Sequence, residues 1–176
     1  MLSTIWLLLC IVIGCVQLLV ATQLEWLVNG DFVQGLWAIC KLPECHIRES
    51  LLSLSVLVMY LLGAVLLLLS AIVSLPIVWS KKVVARFNDA KRLGLVANVQ
   101  FIAALSMGIA VCLVPFDMFE VQCTLSMLLQ SSKCRVGWAY ACACIVSLLS
   151  VCCPVLARLI SDQHKRYTLL ITEHFL

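Results

Sequence analysis

Residues 50–80 read SLLSLSVLVMYLLGAVLLLLSAIVSLPIVWS, and no Asp, Glu, Lys or Arg interrupts them. Roughly 20 mostly apolar residues carry a helix across about 30 Å of hydrocarbon. Three further stretches are equally free of charge: Met1–Leu24, Leu93–Phe116 and Val136–Ala157. Lipid offers no partner to an unpaired backbone N–H or C=O, so each of them must be helical. The reading predicts spans at about 4–22, 52–77, 95–115 and 137–157.

The composition requires the same solvent. The chain has 176 residues, 64% of them hydrophobic and 12% charged, with a mean hydropathy of +1.11. Soluble domains are about half apolar and a quarter charged, so no water-soluble fold of this length buries so much apolar surface. The first stretch has one competing reading, a cleaved signal peptide. It lacks a basic n-region and a small-x-small cleavage site, and its apolar run exceeds the usual 7–15 residues. A retained helix is therefore expected.

Lys and Arg set the expected orientation. Lys81, Lys82, Arg86, Lys91 and Arg92 lie in the loop 78–94, and Arg158, Lys165 and Arg166 in the tail 158–176. The loops 23–51 and 116–136 hold only Lys41, Arg48, Lys133 and Arg135. The positive-inside rule puts the 78–94 loop and both termini in the cytoplasm and the other two loops outside. The basic loop is read as a topology signal, with a weak attraction to anionic lipid. The net charge of +3 adds little, and neither the composition nor any motif points to nucleic acid.

The 11 cysteines fall into three environments. Cys40 and Cys45 lie in the first outer loop, which passes through an oxidising compartment, so a disulfide between them is expected, with Pro43 helping the turn. Cys123 and Cys134 flank the second outer loop, and the sequence leaves their pairing open. Cys10, Cys15, Cys112, Cys142, Cys144, Cys152 and Cys153 fall within predicted spans, where packing is the default reading. Cys152 and Cys153 precede Pro154 and Arg158, a juxtamembrane position that also suits palmitoylation. A zinc reading of Cys40, Glu44, Cys45 and His46 lacks a second ligand pair in sequence, and the disulfide is preferred.

The first outer loop, QLEWLVNGDFVQGLWAICKLPECHIRE over Gln23–Glu49, carries the most specific pattern. Trp26 is followed by Gly35-Leu36-Trp37 and then by Cys40 and Cys45, directly after the first span. This resembles the W…GLW…C…C signature of the claudin, peripheral myelin, epithelial membrane and lens fibre membrane protein superfamily. Gly137-Trp138-Ala139-Tyr140 is similar to the entry of that superfamily's last helix. The resemblance covers the whole plan of the chain and implies an all-α membrane fold: one domain over 1–176, a four-helix bundle with a small extracellular β-sheet in the first outer loop. It further implies that the Cys40–Cys45 bridge joins two strands and that both tryptophans anchor the sheet at the membrane boundary. The stretch from Trp37 to Leu51 is short for a tight-junction claudin, and the end Glu173-His174-Phe175-Leu176 is unlike the claudin PDZ ligand. The lens fibre and epithelial membrane protein branch is nearer.

No catalytic pattern such as G-x-S-x-G or H-E-x-x-H occurs, and no Asp, Glu, Lys, Arg or His falls within a predicted span, where transporters and proton relays carry theirs. An enzyme is not expected, nor a cofactor or metal. Gln17, Asn98, Gln100 and scattered serines remain as polar glue between helices, and Gly63-Ala64, Gly108, Gly137, Ala139, Ala141 and Ala143 as close-packing positions. The expected role is that of a plasma-membrane protein at cell contacts or junctions. Its partners would be the bilayer and other membrane proteins in cis or trans, a second copy included. The alternatives are a regulatory or trafficking subunit of another membrane protein such as a channel, and a true tight-junction claudin.

Overall fold

A computed structural model of the chain describes residues 2–29, 32–41, 44–48, 50–79, 86–119 and 134–174. Among these residues, four helices are long and apolar enough to cross a membrane, which makes the chain a multi-pass membrane protein. Helix α1 spans Leu2–Thr22, α2 Leu51–Trp79 and α3 Arg86–Phe119; α4, Trp138–Ser150, continues as α5, Cys152–His174, to form the fourth span. Pro154 has no N–H to give to the Ser150 carbonyl one turn back. The helix breaks there for one residue, with the Val151 N–H turned to the Leu148 carbonyl at 3.2 Å.

Two helices overrun the expected boundaries. Helix α3 begins at Arg86 rather than near 95, and α5 runs to His174, so most of the expected tail is helical. Charged residues mark where lipid ends, but intrahelical hydrogen bonding does not stop there. Lys81, Lys82, Lys133 and Cys123, and with Cys123 the question of its pairing with Cys134, lie outside the described residues.

Five short strands form one antiparallel sheet in the order β4-β3-β2-β1-β5. They are β1 Leu27–Asn29, β2 Phe32–Gln34, β3 Ala38–Lys41, β4 Glu44–Ile47 and β5 Cys134–Val136. The sheet was expected from the first outer loop alone. Instead β5 comes from the second, pairing Leu27 with Val136 and Val28 with Arg135.

The core is continuous along the bundle. At the sheet end Val20, Trp26, Leu36, Val56, Tyr60, Val111 and Ala143 cluster; farther along, Trp6, Cys10, Leu67, Ala97, Met107 and Cys153 do. The outer faces carry Leu54, Val58, Leu62, Ile102, Leu105, Ile145 and Leu148 fully or half exposed. Such a surface suits hydrocarbon, where helices gain from close packing and hydrogen bonds rather than from hiding leucines.

Polar side chains supply those bonds. The Tyr60 hydroxyl donates to Gln17 Oε1, and Gln17 Nε2 donates to Ser147 Oγ at 3.2 Å, tying α1 to α2 and α4. Gln100 Nε2 donates to Ser70 Oγ at 3.1 Å and reaches Cys10 Sγ at 3.4 Å. The Trp6 indole N–H donates to the Cys153 carbonyl at 2.9 Å. Gln17 and Gln100 thus act as the expected glue. Asn98 also bonds across helices, but from an exposed position, accepting from Arg158 of α5 at 3.1 Å.

Packing sorts the small residues too. At Gly63 a Cβ would come within 2.8 Å of the Ala103 carbonyl, so this glycine sets the approach of α2 to α3. Gly108 was expected to do the same, but nothing lies within 4 Å of its Cβ position. Gly137, Ala139 and Ala143 are buried, while Ala141 faces outward.

These contrasts predict opposite outcomes at two glycines. At Gly137 an added Cβ would overlap the Glu25 carbonyl, so Gly137→Ala should destabilise the protein by about 1–3 kcal/mol or more, the cost of overpacking. Gly108→Ala meets open space and should be neutral or stabilising by up to about 1 kcal/mol through helix propensity. Thermal unfolding midpoints of the purified variants in one detergent would check both.

Candidate functional site

The sheet and its seat on the bundle form the most specifically built region. As α1 ends, Gln23 N–H donates to the Val20 carbonyl at 3.1 Å and the chain turns into β1. Trp26 sits in that turn and is 1% exposed. Its indole N–H donates back to the Val20 carbonyl at 3.1 Å. Its ring meets Tyr60 of α2 edge-on, with centroids 5.5 Å apart, and Tyr140 of α4 at 6.1 Å. Aromatic pairs favour such tilted geometries because ring edges are positive and faces negative.

The same turn closes the start of α4. The Trp26 carbonyl accepts from the Gly137 N–H at 3.0 Å, and the Glu25 carbonyl from the Ala139 N–H at 3.3 Å. A helix N-terminus leaves its first amides without intrahelical partners, and here the incoming chain satisfies two of the donors around that end. Only glycine at 137 leaves room for the crossing.

Gly35, Leu36 and Trp37 form the turn between β2 and β3, closed by the Gly35 N–H donating to the Ala38 carbonyl at 2.9 Å. A Cβ on Gly35 would stand 2.9 Å from the Gln23 carbonyl, so this glycine lets the turn lie against the chain leaving α1. Leu36 enters the core, and its carbonyl accepts from Ser53 Oγ of α2 at 3.2 Å. Trp37, in contrast, is 42% exposed.

The two tryptophans of the motif therefore differ in their surroundings. Trp26 is locked among three helices, whereas Trp37 lies at the outside of the helix–sheet junction, its carbonyl accepting from the Arg48 N–H at 3.1 Å. The motif gives both positions the same letter and carries no burial signal for either.

Cys40 and Cys45 face each other across β3 and β4, and a disulfide joins them. All four residues of β4 are exposed, with Ile47 74% accessible. Glu44 and His46 are 4.0 Å apart on this edge. The bridge holds to the sheet a strand that buries little of its own.

The remaining cysteines divide by facing. Cys10 and Cys153 are buried in the core, as the packing reading expects; Cys142 and Cys144 are half-buried; Cys15, Cys112 and Cys152 point outward. Of the two residues considered for palmitoylation, only Cys152 is accessible.

No protein-family model matches the chain, and a search of curated proteins finds no match.

The split between the tryptophans sets the test of this region. Trp26→Ala should cost about 3–5 kcal/mol, the usual loss for a buried aromatic, and hold the protein back from the cell surface. Trp26→Phe should be milder, keeping most of the apolar contact while losing the bond to Val20. Trp37→Ala should keep a near-native unfolding midpoint. Midpoints and surface biotinylation of the three variants would decide; equal damage from Trp37→Ala and Trp26→Ala would contradict this reading.

Proposed function

We propose that the chain is a claudin-like plasma-membrane protein that acts through surfaces rather than through a catalytic centre. The sheet would lie outside the cell and contact other membrane proteins, in cis or on an adjacent cell. The observation that carries this reading is β4, a bridged edge strand with every side chain exposed. An edge strand offers unpaired N–H and C=O groups to a partner strand. Ile47 on this strand is 74% accessible, and Trp37, which precedes its ladder partner Ala38, is 42% exposed. The W…GLW…C…C pattern and the distribution of Lys and Arg support the family and the orientation.

A second reading, an auxiliary subunit of a larger membrane protein, draws on a different feature. An apolar groove of about 570 Å³ runs along the outer faces of α3 and α4, with Phe101, Leu105, Ile109, Phe116 and Leu148 on its walls and Gly108 in its lining. Small residues in such grooves let a neighbouring helix approach closely.

Crosslinking in intact cells separates the two. A contact protein should self-associate and concentrate where two expressing cells meet, and Trp37→Ala with Ile47→Ser should reach the surface yet lose that enrichment. An auxiliary subunit should co-purify with one larger partner and lose it on Gly108→Leu. Orientation has its own check: an epitope placed within 80–85 should resist protease added outside, and its digestion would overturn the proposed topology.

A further inference from the structure

At the end of the bundle opposite the sheet, a polar cleft of about 560 Å³ opens between α3 and α5. Lys91 and Asn98 line it from α3; Arg158, Ser161, Asp162 and Lys165 line it from α5. Within each helix these positions recur at intervals of three, four or seven residues, which puts each set on one helical face. Gly94 lies between the two α3 residues, and nothing stands within 4 Å of its Cβ position, so the middle of the cleft is open.

The two stripes run in opposite directions and meet at one end, where Arg158 Nη2 donates to Asn98 Oδ1 at 3.1 Å. Lys91 and Lys165 each lie seven residues farther along, roughly 10 Å at the helical rise. The apolar windows of the two helices, Lys91–Phe116 and Trp138–Gln163, end beside this cleft. Arg158 lies five residues inside the end of its window, Lys91 opens the other window, and Lys165 lies two residues beyond Gln163, so the cleft stands where the apolar stretches give way.

The charge is uneven. Among the described residues that line the cleft, three are basic and one is acidic, and that carboxylate, Asp162, stands 3.5 Å from Lys165. Arg158 bonds to a neutral amide, which orients the guanidinium without neutralising it. A guanidinium has five donors in a planar fork suited to two oxygens of one phosphate, and the bond to Asn98 occupies one of them. A cation at lipid depth is costly unless an anion meets it.

We infer that this cleft binds the phosphate-bearing headgroup of an anionic membrane lipid, with Arg158 gripping the phosphate and Lys91 and Lys165 holding further negative charge at the rim. Basic clefts between transmembrane helices recognise anionic headgroups in this way. A lipid meets the geometry better than a free anion, because the phosphate arrives at the depth of Arg158 with its acyl chains already in the hydrocarbon. The proposed cytoplasmic orientation decides only which leaflet supplies the lipid, so the binding test below does not depend on it.

Native mass spectrometry of the full chain in detergent, given equal amounts of phosphatidylserine and phosphatidylcholine, would read retention directly. The wild type should retain phosphatidylserine preferentially. Arg158→Gln and Lys91→Gln should each lower retention by about fivefold, which corresponds to about 1 kcal/mol per basic residue near a membrane surface. Asp162→Asn removes the opposing carboxylate and should raise retention, a gain that misfolding does not produce. Lys41→Gln, on the sheet, should change nothing. Inorganic phosphate in excess should leave the lipid bound; displacement by phosphate alone would mean a soluble anion and overturn the lipid assignment. Equal retention of both lipids, or no response to Arg158→Gln and Asp162→Asn, would overturn the site.

Discussion

The structure depends on how Trp26 docks between the end of α1 and the start of α4. Its side chain closes the C-terminal turn of α1 through Val20 and packs against tyrosines of α2 and α4. Its carbonyl takes up the Gly137 N–H, next to which β5 pairs with β1. Leu36 in the core, its carbonyl held by Ser53 of α2, adds a second foothold for the sheet. β4 is wholly exposed, and the strands are three or four residues long. Small isolated sheets are marginal in water; this one is held by a helical seat below and a disulfide at its far edge.

Inside the bundle, the same economy of polar contacts recurs. Lipid tails are as apolar as leucine, so helices associate through close approach and hydrogen bonds. Gly63 against Ala103 supplies the approach, and the Tyr60–Gln17–Ser147 chain supplies bonds across three helices. Each such bond contributes modestly, about 0.6 kcal/mol on average in one well-measured bundle. Their larger value is to fix rotation and register, because a turned helix would leave a glutamine facing hydrocarbon. At the other end Arg158 and Asn98 join α5 to α3.

Much of this was legible in the chain and some was not, for physical reasons. Absence of charge located the four spans, because charge is what hydrocarbon excludes most strongly. The same signal could not say that α3 begins at Arg86 or that α5 reaches His174, since a helix continues into water without an apolar label. Gln17 and Gln100 were readable as interhelical glue, whereas Asn98 needed the position of Arg158, sixty residues away, to show its role. β5 is three residues long and pairs across most of the sequence with β1; no local pattern marks so short a strand. The Trp26/Trp37 contrast was invisible because a motif records residue types and not the surroundings of each. Gly63 and Gly108 look alike in sequence and differ only in what faces them.

Both loops at the sheet end contribute to one sheet, and Trp26 seats that sheet on the bundle. Hydrogen exchange of the purified protein in lipid nanodiscs, followed by peptide mass spectrometry, tests that claim most directly. The amides of 134–136 should be protected together with those of 27–29, 32–34 and 38–41 in the wild type. In Trp26→Ala, 134–136 and 27–29 should lose protection in step, while the middle of α2 stays protected. Free exchange at 134–136 in the wild type, beside a protected first loop, would contradict the seat and the sheet built on it.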